Sequence, residues 1–283
     1  MVTNDIKKLI KKALIEDIGK GDITTNAIVP QEKLAFAKLI AKDYGILAGV
    51  EIAKYSFVLL DKRMTKGNTG SVKWTAKLSD GSTLVPGKII AEIYGPAKSI
   101  LTAERTALNF LQKLSGIATE SSKFTKKIKP FKTKILDTRK TTPLLRTLEK
   151  YAVKVGGGFN HRFGLYDAIL IKDNHIKIAG SVREAIRMVK NKYPNKKIEI
   201  EVQSFEQLKE ALKFDLDRIM LDNMNISDIK KAVKLVRHKS KLEVSGGVHL
   251  KNVRNIAKTG VDYISIGCIT HSPKSLDISL EFE

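Results

Sequence analysis

Polar residues and glycines close six apolar runs in the second half of the chain, and these positions could carry chemistry. They are Thr138-Arg139-Lys140, Lys172-Asp173-Asn174-His175, Glu201, Asp222-Asn223, Ser245-Gly246-Gly247 and Gly267. If the runs are parallel strands of one barrel, their carboxyl ends meet at one mouth, where barrel enzymes keep their active sites. A single charged residue after a strand is common, because the chain reaches solvent where a buried strand ends. Six such ends, with charges of both signs and two glycine turns, predict an active site.

The positive residues at and near these ends indicate an anionic substrate. Together they form a set that we call the cationic floor: Arg139, Lys140, His161, Arg162 and Lys172. The planar fork of arginine matches carboxylate and phosphate groups with two parallel hydrogen bonds, so a cluster of this kind predicts a polyanion site. Taken alone, His161 and Arg162 would be surface residues about as often as ligand-binding ones.

The acidic and glycine positions complete a second half of the predicted site. Glu201 and Asp222 provide carboxylates for sugar hydroxyls or, through water, for Mg²⁺, which prefers oxygen ligands. The glycine turns at Ser245-Gly246-Gly247 and Gly267 follow the last two runs, where backbone N–H groups commonly cradle a phosphate. We therefore expect a phosphosugar with Mg²⁺ beside a second, strongly anionic substrate. A glycine turn after a strand is weak evidence by itself.

The elements that must position these residues follow two patterns. From about residue 130, six apolar runs alternate with helical stretches in units of roughly 20 to 30 residues, the length of a compact βα unit. Six strands instead of eight predict an incomplete parallel α/β barrel, which we place in residues 113–283. Residues 1–112 mix strand-like and helical pieces, including LAFAKLIAK from Leu34 and SVKWTAKL from Ser71. They predict a small α+β domain. A long amphipathic helix is predicted from Ile100 to Leu114, with Ser115-Gly116 ending it.

Composition limits the classes of function. The formal net charge of +21 admits nucleic acid as a partner, but the lysines are scattered and the 6% aromatic content offers no ladder for base stacking. The single cysteine, Cys268, excludes an internal disulfide and is expected to be a small packed residue. His238, His249 and His271 lack metal-ligand spacing. The charged N-terminus and the lack of an apolar run near 20 residues favour a cytoplasmic protein.

Long motifs in the chain resemble the quinolinate phosphoribosyltransferase family, whose members are also called carboxylating nicotinate-nucleotide pyrophosphorylases. The similarity covers nearly the whole chain. It rests on EDIGKGDITT from Glu16, TAERTALNFLQKLSGIAT from Thr102, DTRKTTP from Asp137, KYAVKVGGGFNHRFGLYDAILIKDNHI from Lys150, IMLDN, VSGGV and GVDYISIGCITHS. Three positions depart from the family pattern: Leu144 replaces Gly, Val244 replaces Ala and Cys268 replaces Ala. None of these changes removes a charged group.

The resemblance implies an activity and a role for each candidate residue. The implied reaction is Mg²⁺-dependent transfer of phosphoribosyl from phosphoribosyl pyrophosphate to quinolinate, with release of pyrophosphate and CO₂. The implied subunit has an N-terminal α+β sandwich and an incomplete α/β barrel, within a homo-oligomer whose Arg105 reaches a neighbour's site. The cationic floor matches positions that hold quinolinate and phosphoribosyl pyrophosphate. Glu201 and Asp222 match positions for ribose hydroxyls and metal, and Ser245, Gly246, Gly247 and Gly267 match the 5′-phosphate loops.

We accordingly expect Lys140, Lys172, Glu201 and Asp222 to be catalytic, and we add Thr138, Asp173 and Asn223 to the substrate-binding set. Two other functions remain open at this point. One is a paralogous phosphoribosyltransferase that acts on a different acid, which an activity comparison on several pyridine acids would identify. The other is nucleic-acid binding, which would be steeply salt-dependent and blind to sequence.

Overall fold

The computed structural model describes residues 2–64 and 72–283, and the following elements lie within those ranges. The helices are α1 (Asn4–Ile18), α2 (Ile23–Ile28), α3 (Val50–Met64), α4 (Ala97–Ile128), α5 (Arg146–Val155), α6 (Asp173–Ala179), α7 (Val182–Lys192), α8 (Phe205–Ala211), α9 (Ile226–Val236), α10 (Val253–Ala257) and α11 (Cys268–His271). The strands are β1 (Leu34–Ala41), β2 (Gly45–Ile46), β3 (Lys73–Ala76), β4 (Thr83–Leu84), β5 (Ile89–Pro96), β6 (Lys134–Leu136), β7 (Ile169–Ile171), β8 (Ile198–Val202), β9 (Arg218–Asp222), β10 (Lys241–Ser245), β11 (Tyr263–Ser265) and β12 (Ile278–Phe282).

The chain forms two compact units. The first comprises the described parts of Met1–Glu120, Pro143–Gly156 and Ser272–Glu283, and the second comprises Ser121–Thr142 and Gly157–His271. The boundary between them falls within the sequence of α4. The sequence-based division into residues 1–112 and 113–283 stays a prediction about how the chain is divided into domains.

The first unit is built on an antiparallel sheet with the strand order β12-β1-β5-β3. The predicted strand from Leu34 is β1, which pairs with β5 on one side and with β12 on the other. The predicted strand from Ser71 begins outside the described residues, and β3 forms within its described part. Helix α1 buries Ile6, Ile10 and Leu14, which recur every four residues and therefore lie on one face of the helix.

The predicted end of the long helix at Ser115-Gly116 is wrong, because α4 continues through both residues to Ile128. These two small residues serve packing. The buried Ser115 hydroxyl accepts a hydrogen bond from the N–H of Ala48 and donates one to its carbonyl, at 3.0 and 3.3 Å. A side chain at Gly116 would overlap the carbonyl oxygen of Lys274. Close approach of backbone, and not helix termination, explains this glycine.

The second unit contains a six-stranded parallel sheet with the order β6-β11-β10-β9-β8-β7. Its strands are the six apolar runs identified in the sequence. Strands β6 and β7 stand at the two ends of this order, so the sheet is an incomplete barrel. The predicted fold class, an N-terminal α+β domain with an incomplete parallel α/β barrel, is confirmed.

Short polar residues precede three helices of the second unit, α7, α8 and α9. The side chains of Ser181, Ser204 and Asn225 accept hydrogen bonds from backbone N–H groups three residues later, at 3.1, 3.2 and 3.0 Å. Each satisfies a donor in the first turn that has no partner within its helix. Within residues 2–64 and 72–283, no helix has both the length and the apolar composition needed to cross a bilayer.

Candidate active site

A cavity of about 690 Å³ lies at the carboxyl ends of the strands of the second unit. It brings together most of the predicted site residues: Thr138, Arg139, Lys140, His161, Arg162, Lys172, Glu201, Asp222, Asn223, Ser245, Gly246, Gly247 and Gly267. These residues span about 130 positions of sequence, and the parallel sheet delivers them to one edge.

Two predicted site residues, Arg105 and Asp173, are not among those that line the cavity. Arg105 lies on α4 in the first unit, where its side chain is exposed, and its predicted role in a neighbour's site stays a prediction. Asp173 is the first residue of α6 and forms an ion pair with Lys177 at 3.5 Å. It lies close enough to Glu201 for its negative charge to raise the pKa of that carboxyl.

Two arginines form the most positive part of the cavity. The Arg162 guanidinium donates a hydrogen bond to the carbonyl of Ala168 at 2.9 Å, which holds it against its own loop. Burial and the adjacent positive charge of Arg139 lower the pKa of Arg162, although a guanidinium remains charged at any ordinary pH. Two neighbouring guanidinium groups that are partly withdrawn from water favour an anion with more than one negative charge.

Lysines from two different loops add to this charge. Lys140 follows β6, and its aliphatic stem passes so near Gly267 that a Cβ there would lie 3.1 Å from Lys140 Cδ. The carbonyl of Lys140 accepts a hydrogen bond from the Thr270 hydroxyl at 2.8 Å, which ties the two loops together. Lys172 follows β7, and its ammonium group lies 3.7 Å from the Glu201 carboxylate.

Two carboxylates form the acidic side of the cavity. Glu201 lies within β8 and Asp222 ends β9, so neighbouring strands deliver both. Burial raises the pKa of Glu201, and repulsion from Asp222 adds to this effect while Lys172 opposes it. Asp222 accepts hydrogen bonds from the side-chain amides of Gln203 and Asn223, at 3.2 and 2.9 Å. A cation or several sugar hydroxyls would relieve the repulsion between these carboxylates.

The glycine turn after β10 packs directly against the residue that follows β9. Asn223 has a φ of 55° and donates its N–H to the Ser245 carbonyl at 2.9 Å. Gly246 has a φ of 86°, and a Cβ at that position would lie 2.5 Å from Asn223 Cγ. Both the backbone angle and the lack of space therefore require glycine at this position.

The six-residue set Leu170, Met220, Val248, Ser265, Ile266 and Cys268 also lines the cavity, together with His271, and sequence reasoning assigned none of them to the site. Cys268 is half-buried at the first position of α11. More important, the strands carry charged side chains beneath the cavity that were missed: Glu199 in β8, Arg218 in β9 and Glu243 in β10. The position of Glu199 could have been predicted from the sequence. Glu199 and Glu201 are two residues apart in an apolar strand, so their side chains lie on the same face of the sheet.

The ring of His161 lies between the cavity and these buried charges. Its Nε2 is 3.0 Å from a Glu199 carboxylate oxygen and 3.6 Å from Glu243, and its Nδ1 accepts the N–H of Arg162 at 2.7 Å. Burial alone lowers the pKa of His161, but the two carboxylates outweigh it and raise the pKa above its ordinary value. Burial and repulsion from Glu199 raise the pKa of Glu243 to about 7.

Two sets of residues offer ligand atoms for a metal ion. Within the described part of the chain, His161, Glu199 and Glu243 offer ligand atoms within 4.8 Å of one another. The guanidinium of Arg218, however, already lies 2.6 Å from Glu243 and 3.8 Å from Glu199, so this cluster contains its own cation. Glu201 and Asp222 suit Mg²⁺ better, because Mg²⁺ is usually held by one or two carboxylates, waters and substrate phosphates.

Fold and site together define an α/β-barrel enzyme with a polyanion cavity at the carboxyl ends of its strands. Residues 22–115 match the N-terminal domain of quinolinate phosphoribosyl transferase, and residues 117–281 match the C-terminal domain. The chain therefore belongs to the quinolinate phosphoribosyltransferase family and is an enzyme of the phosphoribosyltransferase class.

Relatives and solved structures agree with this membership. A Bacillus subtilis protein named probable nicotinate-nucleotide pyrophosphorylase (carboxylating) is 44% identical over 277 residues, which cover 98% of this chain and 93% of the relative. The structure of the nicotinate-nucleotide pyrophosphorylase from Francisella tularensis is 43% identical with a TM-score of 0.92, covering 100% of this chain and 98% of that one. The corresponding Ehrlichia chaffeensis structure is 43% identical with a TM-score of 0.91, and it covers 98% of each chain.

Proposed function

We propose that this protein transfers the phosphoribosyl group of phosphoribosyl pyrophosphate to quinolinate, giving nicotinate mononucleotide, pyrophosphate and CO₂. The observation that carries the proposal is one cavity in which arginines and lysines from several loops face the carboxylates of Glu201 and Asp222. The names of the relatives in the same family support the choice of substrates.

Quinolinate fits the part of the cavity around Arg139 and Arg162. It carries two adjacent carboxylates, and each guanidinium can hold one of them with two hydrogen bonds. Lys172 adjoins the acidic side of the cavity, because its ammonium group is 3.7 Å from Glu201. The acceptor would thus be held with its ring nitrogen toward the phosphosugar.

Phosphoribosyl pyrophosphate fits the remaining part. The backbone N–H groups at Gly246 and Gly247 would hold the 5′-phosphate, as open backbone turns do in other phosphate sites. Lys140 would contact the pyrophosphate, and Glu201 and Asp222 would accept hydrogen bonds from the ribose hydroxyls. These two carboxylates would also hold Mg²⁺ through oxygen ligands; when bound, it would neutralise pyrophosphate charge.

In the proposed reaction the protein orients the two substrates and stabilises the charges that develop on them, and no side chain needs to form a covalent bond. The ring nitrogen of quinolinate forms a bond to ribose C1 while the bond from C1 to pyrophosphate breaks. Lys140 and Lys172 stabilise the departing negative charge, and the carboxylates of Glu201 and Asp222 stabilise the positive charge that develops on the sugar. Departure of the 2-carboxylate as CO₂ leaves an electron pair on carbon 2, which the positive charge of the adjacent pyridinium nitrogen stabilises, and carbon 2 then takes a proton from water.

We further propose that the active enzyme is a homo-oligomer with shared sites. The support is the exposed position of Arg105 on α4, together with the family resemblance that assigns it to a neighbour's site. An additional cation supplied by the partner would face the second carboxylate of quinolinate.

Incubation of the purified protein with quinolinate, phosphoribosyl pyrophosphate and Mg²⁺ tests the proposal. We expect nicotinate mononucleotide, pyrophosphate and CO₂ in equal amounts, and we expect turnover to stop when EDTA removes the metal. A parallel incubation with nicotinate separates this function from that of a paralogue acting on a different acid. Comparable turnover of the two acids would contradict the assignment.

A further inference from the structure

A second layer of charged side chains lies beneath the cavity on the same strands that form it. Glu243 is completely buried, Glu199 is nearly so, and the side chain of His161 is only 8% exposed. The pairing register places Glu199 opposite Arg218, and it places Glu243 opposite Met220 and Tyr263. Side chains alternate along a strand, so residues two positions apart share a face. Glu201, two residues after Glu199, and Ser245, two residues after Glu243, accordingly line the cavity.

The charges of this layer are compensated within the protein. The Arg218 guanidinium donates a hydrogen bond to Glu243 at 2.6 Å and lies 3.8 Å from Glu199. It also stacks over the ring of Tyr263 at 4.2 Å, and the Ser265 hydroxyl donates to the other oxygen of Glu243. Buried carboxylates persist only with such partners, since loss of one leaves an uncompensated charge in the interior.

The ring of His161 is oriented by this layer. Its Nε2 lies within ion-pair distance of Glu199 and Glu243, and its Nδ1 accepts the backbone N–H of Arg162. The His161 backbone N–H in turn donates to the buried Asp137 at 2.8 Å. Both ring nitrogens are thus engaged by protein groups, although the residue lines the cavity.

We propose that Glu199, Glu243 and Arg218 are positioning residues that hold the His161 ring, and that His161 in turn sets the orientation of Arg162 toward the acceptor acid. His161 would then act on quinolinate through the backbone of Arg162 instead of contacting a carboxylate with a ring nitrogen. This inference rests on the proposed function of the site. It adds to the quinolinate site three residues that would affect binding without contacting the substrate.

The test compares Glu199→Gln and Glu243→Gln with the unaltered protein, measuring kcat and both KM values. Each substitution keeps the size of the side chain and removes the negative charge. We expect the KM for quinolinate to rise at least tenfold while the KM for phosphoribosyl pyrophosphate changes less than twofold. Arg218→Lys keeps the positive charge and should raise the quinolinate KM by a smaller factor than the glutamine substitutions do. This variant provides the test if a glutamine variant does not fold.

Asp262→Asn is the matched control. Asp262 pairs with Lys241 at 2.8 Å and accepts the N–H of Leu242, at the opposite ends of β10 and β11 from the cavity. This variant should lose stability without a change in either KM. Equal rises in both KM values for the Glu199 and Glu243 variants, or a loss of stability alone, would show a merely structural role and overturn the inference.

A double-mutant cycle tests whether Glu199 acts through His161. In a His161→Ala background, Glu199→Gln should cause no further rise in the quinolinate KM, because the ring it orients is gone. Additive effects would contradict the proposed connection. If the unaltered protein neither binds nor converts quinolinate, the proposed function fails and this inference fails with it; an active protein with an unchanged quinolinate KM in the glutamine variants rejects the inference alone.

Discussion

Replacement of Gly246 by alanine should damage the site through a single steric overlap. The added Cβ would lie 2.5 Å from Cγ of Asn223 and 3.0 Å from its backbone nitrogen. Asn223 cannot move aside freely, since its amide donates to Asp222 at 2.9 Å and its N–H donates to the Ser245 carbonyl at 2.9 Å. The substitution should therefore displace both Asn223 and the Asp222 carboxylate.

The cost can be divided into two parts. A non-glycine residue at a φ of 86° costs about 1–2 kcal/mol, and overpacking of this kind adds about 1–3 kcal/mol. Gly180→Ala isolates the first part, because Gly180 lies in the same unit with a φ of 91° and open space around its added Cβ. The difference between the two variants is then the cost of the overlap.

Thermal and denaturant unfolding measure this difference directly. We expect Gly246→Ala to be about 1–3 kcal/mol less stable than Gly180→Ala, which corresponds to roughly 2–4 °C in melting temperature for each kcal/mol. Gly246→Ala should also raise the KM for phosphoribosyl pyrophosphate, whereas Gly180→Ala should leave it unchanged. Equal stabilities for the two variants would refute the reasoning, since only the backbone angle would then matter.

Four other outcomes follow from the site. Glu201→Gln should weaken binding or turnover of phosphoribosyl pyrophosphate by roughly 10²-fold, the scale for one preorganised electrostatic contact, with quinolinate binding nearly unchanged in calorimetry. Arg162→Ala should narrow the preference for quinolinate over nicotinate more than Lys140→Ala does, as measured by the ratio of kcat/KM values. Burial and repulsion from Glu199 raise the pKa of Glu243 on folding, so the folded protein binds a proton more tightly than the unfolded chain. The free energy of unfolding should therefore fall as the pH rises through the folded pKa, and Glu243→Gln should flatten that profile. Mixing inactive Arg105→Ala and Lys140→Ala chains should restore part of the activity, and hybrids that form without activity would argue against shared sites.

The sequence by itself determined the barrel and the composition of its mouth. Parallel strands are recognisable as apolar runs, and the residues that follow them must gather at one edge because all six strands point the same way. The positions of Arg139, Lys172 and Asp222 at this edge follow from that rule alone. The same local reasoning misjudged Ser115-Gly116, because a residue pair typical of a helix end was there for close packing.

Only the tertiary structure decided what the buried charges do. Periodicity can place Glu199 and Glu243 on the inner faces of their strands, but it cannot show that Arg218 lies between them or that His161 points toward both. These contacts join residues as many as 82 positions apart, from His161 to Glu243, and they depend on strand order and register. Strand order depends on how the whole sheet packs, and a local pattern of residues does not predict it.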